Sequence, residues 1–168
     1  GFYESYAIGG WEPGVSTLEL AGAYSAFGNE GIYNEPYAVT KIVLADDTEE
    51  KFTSEPVVAM KESTAFMVTD MLKSVMTSGT GTTANVSGLP VAGKTGTTNY
   101  TDEERQKYNI SRTPVPDAWF VGYTTNYTAA IWTGGEKRKD YLDKSKQKYA
   151  QRMFKALMTK VSEGKKTK

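Results

Sequence analysis

Residues 91–98 read VAGKTGTT, a short apolar start followed by small and hydroxylated residues. Gly93 and Gly96 inside this stretch indicate a strand that a ligand or another backbone approaches closely. Downstream, residues 119–123 (WFVGY) and 128–133 (TAAIWT) are short apolar runs about a polar turn, which predicts a buried β-hairpin. We therefore expect a sheet whose successive strands are joined by hairpins.

Helical patterns lie before and after this sheet. Ser16 and Glu19 form an S-x-x-E capping box, which predicts a helix that ends at Gly28. Apolar residues recur at three-to-four spacing over residues 56–76 and predict a second helix, or two abutting ones. Residues 149–161 form an amphipathic pattern whose apolar stripe should pack flat on the sheet. This arrangement favours an α+β fold over a doubly wound parallel sheet.

The connecting segments carry weaker patterns. Alternation over residues 37–44, followed by a turn and residues 51–53, predicts another β-hairpin. Residues 79–88 are small and polar and predict a loop. Residues 101–116 are charged and bounded by proline, so they predict an exposed excursion. The acidic run Asp102-Glu103-Glu104 within it is interpreted as solvated loop, and no metal is assigned to it.

Composition excludes several kinds of chemistry. The 168 residues suit one domain with a sizeable core, and 39% hydrophobic residues are too many for intrinsic disorder. The chain has no Cys and no His, which excludes thiolate nucleophiles, the usual zinc sites and a Ser-His-Asp triad. Any catalysis must therefore use Ser, Thr, Lys, Tyr, Asp or Glu, and we expect no cofactor. No signal peptide or membrane-spanning run is present in the sequence.

Charge is balanced overall but unevenly distributed. Residues 136–168 carry 12 Lys and Arg against 4 Asp and Glu, whereas the preceding residues carry 8 against 16. A basic tail of this kind can bind an anionic polymer, although a solvated helix face is the commoner explanation. We expect no nucleic-acid partner. A non-catalytic module that binds an anionic polymer stays open as an alternative; its binding would persist in Lys94→Ala and disappear at high salt.

Residues 88–95 (GLPVAGKT) match the phosphate-loop pattern G-x-x-x-x-G-K-[ST], and residues 42–46 resemble an acidic strand end for Mg²⁺. A nucleotide hydrolase is therefore an alternative, which predicts Mg²⁺-dependent nucleotide binding that is lost in Lys94→Ala. The context disagrees, because a phosphate loop follows a buried strand and opens a helix. Here a polar loop precedes Gly88, and the residues after Thr95 are poor helix formers.

The same residues contain a second motif, Lys94-Thr95-Gly96-Thr97, hereafter the K-T-G-T motif. On a strand beside an active site, the Thr97 N–H is a candidate oxyanion donor and the Lys94 ammonium a local positive field. The hydroxyls of Thr95 and Thr97 are suited to a substrate carboxylate, and Gly96 lets a ligand approach the backbone. This chemistry suits a serine acyltransferase.

Segments around the motif resemble the transpeptidase domain of class A penicillin-binding proteins in the same order and spacing. They are residues 16–33 (STLELAGAYSAFGNEGIY), the Gly79-Thr80-Gly81 turn, residues 91–99, residues 117–123 (DAWFVGY) and residues 130–134 (AIWTG). The resemblance runs from about Gly9 to Gly134. It implies a β-lactamase-like fold, with an antiparallel sheet flanked by helices. It also implies a D,D-transpeptidase at the extracytoplasmic face of a bacterial membrane that cross-links peptidoglycan stem peptides and is acylated by β-lactams.

The sequence departs from that family in one respect. The family has a nucleophilic Ser in S-x-x-K and a second motif S-x-N, both before K-T-G, and neither occurs before Lys94. Ser145 and Ser162 each begin an S-x-x-K match, but they follow the sheet and are not expected to act. Residues 1–161 are therefore interpreted as the C-terminal portion of a transpeptidase domain, followed by a frayed basic tail at residues 162–168.

The resemblance assigns site residues and partners, and it makes a cell-wall polymer the partner of the non-catalytic alternative. Lys94 and Thr97 are the candidate catalytic residues, while Thr95, Gly96, Thr97 and Thr98 are expected to bind substrate or β-lactam. Tyr100 extends the rim. The expected partner is the N-terminal remainder of the same domain, either joined to these residues or as a separate cleaved chain; without it we expect no activity. The sheet face bearing Trp119, Val121, Ala130 and Trp132 should then expose apolar surface and cause association.

Overall fold

The computed structural model describes residues 3–10 and 14–165. In chain order, its helices and strands are α1 (Thr17–Gly28), β1 (Ile32–Tyr33), β2 (Lys41–Val43), β3 (Glu49–Lys51), β4 (Val57–Val58), α2 (Glu62–Thr77), β5 (Ala92–Thr97), α3 (Asp102–Tyr108), β6 (Asp117–Tyr123), β7 (Thr128–Gly134) and α4 (Tyr149–Val161). Short 3₁₀ turns occur at Glu4–Ile8, Thr82–Ala84 and Lys146–Lys148. The α+β prediction is confirmed.

The central sheet is antiparallel, with strand order β5-β6-β7. Gly93 pairs with Gly122 and Thr97 with Ala118, while the hairpin between β6 and β7 places Trp119 opposite Trp132. The predicted strand at residues 91–98 and the predicted hairpin are both confirmed. Among the described residues β5 has β6 as its one strand neighbour, so its outer edge is open.

The first helix begins where its capping box predicts. The Ser16 hydroxyl accepts from the Glu19 N–H, and the Glu19 carboxylate accepts from the Ser16 N–H at 2.7 Å. These bonds satisfy two donors that a helix start otherwise leaves unpaired, and they hold the pKa of Glu19 below its ordinary value.

The hairpin predicted from residues 37–44 and 51–53 is also present, as β2 paired with β3. It is shorter than predicted and exposed throughout.

The prediction of helix from Pro56 was wrong at its start. Val57 and Val58 form β4, which pairs with Ile32 and Tyr33 of β1, and α2 begins at Glu62. The apolar spacing of this segment looked helical, but two consecutive β-branched residues favour a strand when a distant partner is available. The predicted loop at residues 79–88 also contains a 3₁₀ turn, whose Ala84 is fully buried in the core.

Two groups of buried side chains hold the sheet between helices. On one face Phe120 of β6 meets Phe154 of α4, with ring centroids 4.7 Å apart, and Met76 of α2 joins this cluster. On the other face Tyr123 packs with Leu72 and Ala92 beside the aromatic rings of α1. α2 lies alongside β5 and contributes to both clusters.

Helix α4 packs on β6 and β7 as predicted, although its buried stripe is narrower than expected. Ala150, Phe154 and Met158 are buried, whereas Met153 and Leu157 are about half exposed. Gln151, to which the sequence pattern gave no place, is buried as well. The residues of the predicted tail that are described, 162–165, continue as a hydrogen-bonded turn, and residues 166–168 lie outside the described residues.

The predicted apolar sheet face is only partly open. Val121 is 4% exposed because α1 packs over β6 and β7, while Trp132 at the margin is 44% exposed. Apolar side chains with a larger exposed fraction than Trp132 lie on α2, namely Phe66, Met67 and Met71. Within residues 3–10 and 14–165, no helix is long and apolar enough to cross a membrane.

The excursion at residues 101–116 is not an unstructured loop. Asp102–Tyr108 form α3, and Thr101 with Glu104 makes a second complete capping box. The acidic run Asp102-Glu103-Glu104 is therefore the first turn of a helix, where negative charge is favourable. The pattern T-x-x-E was present in the sequence and would have predicted this helix.

Candidate active site

The K-T-G-T motif occupies residues 94–97, the last four of the six residues of β5. Ala92 and Gly93 are buried at the start of the strand, whereas Lys94, Gly96 and Thr97 are exposed and Thr95 is half-buried. Within the part of the chain that the structure describes, no second strand pairs with the outer edge of β5, so this edge is available to a ligand. The motif therefore lies on an accessible strand edge, as the sequence predicted.

The two glycines of β5 differ in what surrounds them. A Cβ atom placed on Gly93 would lie 2.7 Å from the Phe120 ring and 2.8 Å from the Val121 carbonyl oxygen. A Cβ on Gly96 would lie 3.4 Å from its nearest neighbour, the Trp119 Cβ, which is ordinary contact. Packing within the described chain therefore requires a glycine at position 93 but not at position 96. The space over Gly96 is open to a ligand.

Two polar side chains of the motif have defined partners. The Thr95 hydroxyl lies 2.7 Å from the hydroxyl of Thr80, in the turn that follows α2. The Lys94 ammonium donates to the Thr95 carbonyl oxygen at 3.0 Å. These contacts hold a cation and two hydroxyls together at the exposed part of the strand edge. Such a group is suited to binding a carboxylate.

The end of β5 is joined to the start of β6. The Thr98 hydroxyl donates to Oδ2 of Asp117 at 2.9 Å, while the buried Oδ1 of that carboxylate has no hydrogen-bond partner among the described residues. Tyr100 is not part of an exposed rim: it is 5% exposed, and its hydroxyl donates to the Arg138 carbonyl oxygen. Burial raises the pKa of this phenol.

The chemistry of the alternative motifs is not supported by their geometry. Lys94 and Thr95 of the phosphate-loop pattern lie within a strand, so the pattern does not open a helix as a phosphate loop must. The Ser145 hydroxyl donates to Asp143 at 2.6 Å and makes no bond with Lys148. No cluster of three or more His, Cys, Asp or Glu suited to a metal occurs within the described ranges.

A cavity of about 420 Å³ opens at the other end of β5, and it contains none of the K-T-G-T residues. Ala92, Tyr123 and residues of α1 and α2 line it. We place the candidate site on the strand edge rather than in this cavity, because the edge is where hydroxyls, an ammonium and open backbone groups converge.

Sequence reasoning missed three residues near the motif: Thr80 beside the outer edge of β5, and Asp117 and Arg138 at the end of the sheet where β5 finishes. Thr80 was noted only as part of a turn, and Asp117 and Arg138 received no role. Thr80 and Asp117 reach the strand from positions 15 and 19 residues away from their partners. No local pattern signals such contacts. The one local signal is the capping-box pattern at Thr101, which predicts the start of α3 just after β5.

The chain is similar in sequence to known proteins. The family described as penicillin-binding protein transpeptidase domain matches residues 2–159. The chain is 51% identical over 166 residues to penicillin-binding protein 1A/1B of Bacillus subtilis. This alignment covers 96% of the chain and 18% of that protein. The chain is 43% identical over 152 residues to penicillin-binding protein 1A of Streptococcus pneumoniae, which it covers to 21%.

Solved structures have the same fold. The PonA1 protein of Mycobacterium tuberculosis in complex with penicillin V superposes with a TM-score of 0.72 at 26% identity, over 89% of this chain and 39% of that one. The D,D-transpeptidase domain of a peptidoglycan glycosyltransferase from Eggerthella lenta gives a TM-score of 0.59 at 28% identity, over 88% of this chain and 33% of that one. The chain thus spans a fifth to two fifths of the length of these relatives.

Proposed function

Because the chain belongs to the family of penicillin-binding protein transpeptidase domains, we propose that its K-T-G-T motif forms one wall of the acylation cleft of a serine D,D-transpeptidase. Its substrates would be peptidoglycan stem peptides and its inhibitors β-lactams. The observation that carries this proposal is the exposed second half of β5, with an open strand edge and open space over Gly96.

Each residue of the wall has a role that its position supports. The Lys94 ammonium supplies positive charge to the proton-relay network beside the nucleophile. The hydroxyls of Thr95 and Thr97 bind the carboxylate of the stem peptide or antibiotic, and the Thr97 N–H is one donor of the oxyanion hole. Gly96 allows the ligand to lie against the strand, and Thr98 borders it. No metal or cofactor is needed for these roles.

We propose that the nucleophile lies in a segment of the transpeptidase domain other than these 168 residues. No S-x-x-K or S-x-N motif precedes Lys94, so the remainder of the transpeptidase domain would supply both, either in the same polypeptide or as a separate docked chain. Its serine oxygen attacks the carbonyl carbon, the C–N bond breaks, and the serine proton passes to the departing nitrogen. The amino group of a second stem peptide then attacks the acyl carbon, the ester bond to the serine breaks, and a proton from the amine passes to the serine oxygen. We place this reaction at the extracytoplasmic face of the cell membrane.

A chimera tests the proposal. This chain replaces the homologous segment of the Bacillus subtilis relative, and acylation is measured with a fluorescent penicillin. We expect labelling of the chimera, and a loss of about 100-fold or more in the acylation rate of the Lys94→Ala chimera. The control is Lys155→Ala, an exposed lysine of α4, which should label like the parent.

Two results would contradict the proposal. One is an unlabelled chimera that is folded by circular dichroism. The other is a Lys94→Ala chimera that is labelled at the parental rate. Labelling of the isolated chain would contradict only the part of the proposal that places the nucleophile elsewhere, and an intact mass before and after incubation would reveal it.

A further inference from the structure

One arginine joins the chain segment that leaves β5 to the segment that leaves β7. Arg138 donates through Nη2 to the Asn99 carbonyl oxygen at 3.1 Å. It also donates through Nε and Nη2 to the two oxygens of Glu104, at 2.7 and 3.2 Å. A planar guanidinium can make these bonds together, since its donors are fixed in a fork.

Glu104 is held from two sides. Its carboxylate accepts from the Thr101 N–H at 2.9 Å as part of the α3 capping box, while it also accepts from Arg138. These bonds lower the pKa of Glu104 to about 2, the hydrogen bond from Arg138 being the largest cause. The same carboxylate therefore starts α3 and fixes the guanidinium.

Tyr100 completes the connection. Two guanidinium groups lie over its ring, that of Arg138 at 5.2 Å and that of Arg105 at 5.6 Å from the centroid. Its hydroxyl donates to the Arg138 carbonyl oxygen at 2.7 Å. Arg105 also donates to the Ser111 carbonyl oxygen. The buried ring thus anchors both the side chain and the backbone of Arg138.

This set of contacts spans the end of the sheet at which the K-T-G-T motif finishes. Asp117 at the start of β6 pairs with Gly134 at the end of β7, and accepts from Thr98 at the end of β5. Arg138, four residues beyond Gly134, crosses this end and binds Asn99. Asn99, the second residue after the motif, is therefore held by one side chain from the segment that follows the far strand of the sheet.

We propose that Arg138 is a positioning residue of the cleft: by holding Asn99, Tyr100 and Glu104 it sets the direction in which β5 leaves the sheet, and so orients Thr97 and Thr98 toward the ligand. This inference rests on the proposed function. An exposed ion pair contributes little to stability, so its value here lies in the geometry that it imposes.

Hydrogen exchange on the isolated chain tests the structural half. In Arg138→Ala we expect the backbone amides of residues 98–108 to exchange at least about tenfold faster, because their anchor is lost. Amides of α4 and of the β6–β7 hairpin should keep their protection. Unchanged exchange at residues 98–108 would overturn the inference whatever the function of the chain.

Acylation of the chimera tests the functional half. Arg138→Ala should lower the second-order rate constant for penicillin acylation at least about tenfold, with little change in melting temperature. Arg138→Lys keeps the charge but not the fork, and should stay within threefold of Arg138→Ala. The matched control is Lys41→Ala, which removes the exposed Lys41–Glu49 ion pair of the remote β2–β3 hairpin and should change neither reading.

The outcomes separate the two proposals. An unlabelled parent chimera would refute the proposed function and this inference with it. A labelled parent whose Arg138→Ala variant is acylated at the parental rate would overturn this inference alone. Full recovery in Arg138→Lys would also overturn it, since charge without the planar fork would then suffice.

Discussion

Within its six residues, β5 has a buried first part and an exposed second part. Ala92 and Gly93 lie buried between β6 and the helices, whereas Lys94, Gly96 and Thr97 face solvent along an open strand edge. Both halves keep the same register against β6, from Ala92 with Tyr123 to Thr97 with Ala118. The buried residues fix the strand in the fold. Because the register is continuous, they also fix the position and direction of the exposed residues relative to β6.

The comparison predicts that the fold and the proposed cleft wall respond to different substitutions. Substitutions that disturb the packing around Gly93 should lower stability, while substitutions at Gly96 should obstruct a ligand without disturbing the fold. If this separation is real, each half should respond to one kind of measurement and not to the other.

The largest effect is expected from the core that supports the buried half. Phe154→Ala removes the α4 ring that packs on Phe120, and should lower the free energy of unfolding by about 3–5 kcal/mol. Urea denaturation of the chain measures this. If the variant does not fold, Phe154→Leu should still fold with a smaller loss. A Phe154→Ala chain as stable as the parent would contradict the assignment of the core.

A smaller loss is expected within the strand itself. Gly93→Ala places a Cβ against the Phe120 ring and the Val121 carbonyl, which should cost about 1–3 kcal/mol of stability through overpacking. The same denaturation measurement applies, and Gly96→Ala is the matched control. Equal stability of the two glycine variants would show that the halves of β5 do not differ in packing.

Gly96→Ala should act on ligand binding instead. Its free energy of unfolding should stay within about 0.5 kcal/mol of the parent, since the new methyl meets only ordinary contact. Acylation of the corresponding chimera should fall at least about tenfold, equivalent to about 1.4 kcal/mol, because the methyl occupies the ligand's approach. An unimpaired Gly96→Ala chimera would show that the ligand does not lie against this residue.

The smallest effect concerns acid. Folding lowers the pKa of Glu104 from 4.5 to about 2, so its contribution to stability is fully present above pH 4.5 and is lost as the pH falls toward 2. Glu104→Gln should flatten this part of the stability curve. Urea midpoints at pH 5, 4 and 3 measure it. Glu19, Asp46, Glu103 and Asp143, whose pKa values are also lowered, should leave a residual slope. An unchanged slope would contradict the Glu104 contacts.

The parts of the fold that local sequence determines were predicted correctly. The capping box at Ser16 and the hairpin of β6 with β7 depend on neighbours close in sequence, so local patterns predict them. The strand around Lys94 pairs with the more distant β6, but its own residues already carried a strand pattern. The start of α2 was not predicted correctly, because Val57 and Val58 become a strand only through pairing with Ile32 and Tyr33. That pairing joins segments about 25 residues apart in sequence, and no periodicity reports it.

The candidate site divides in the same way. The motif residues and their exposure follow from the letters K-T-G-T and from the edge position of the strand. The contacts of Thr80 with Thr95 and of Arg138 with Asn99 depend on how α2 and β7 lie relative to β5. Such contacts follow from tertiary packing, which a single sequence does not specify by spacing alone.

A crystal structure of the penicillin-acylated chimera tests the central claim most directly. The measured quantity is the distance from the antibiotic's carboxylate to the hydroxyl oxygens of Thr95 and Thr97. We predict that at least one of these distances lies within hydrogen-bond range, at about 2.5–3.0 Å, with the ligand lying along the open edge over Gly96. An acylated ligand whose carboxylate binds elsewhere, with the strand edge unoccupied, would contradict the claim that the exposed half of β5 is a wall of the cleft.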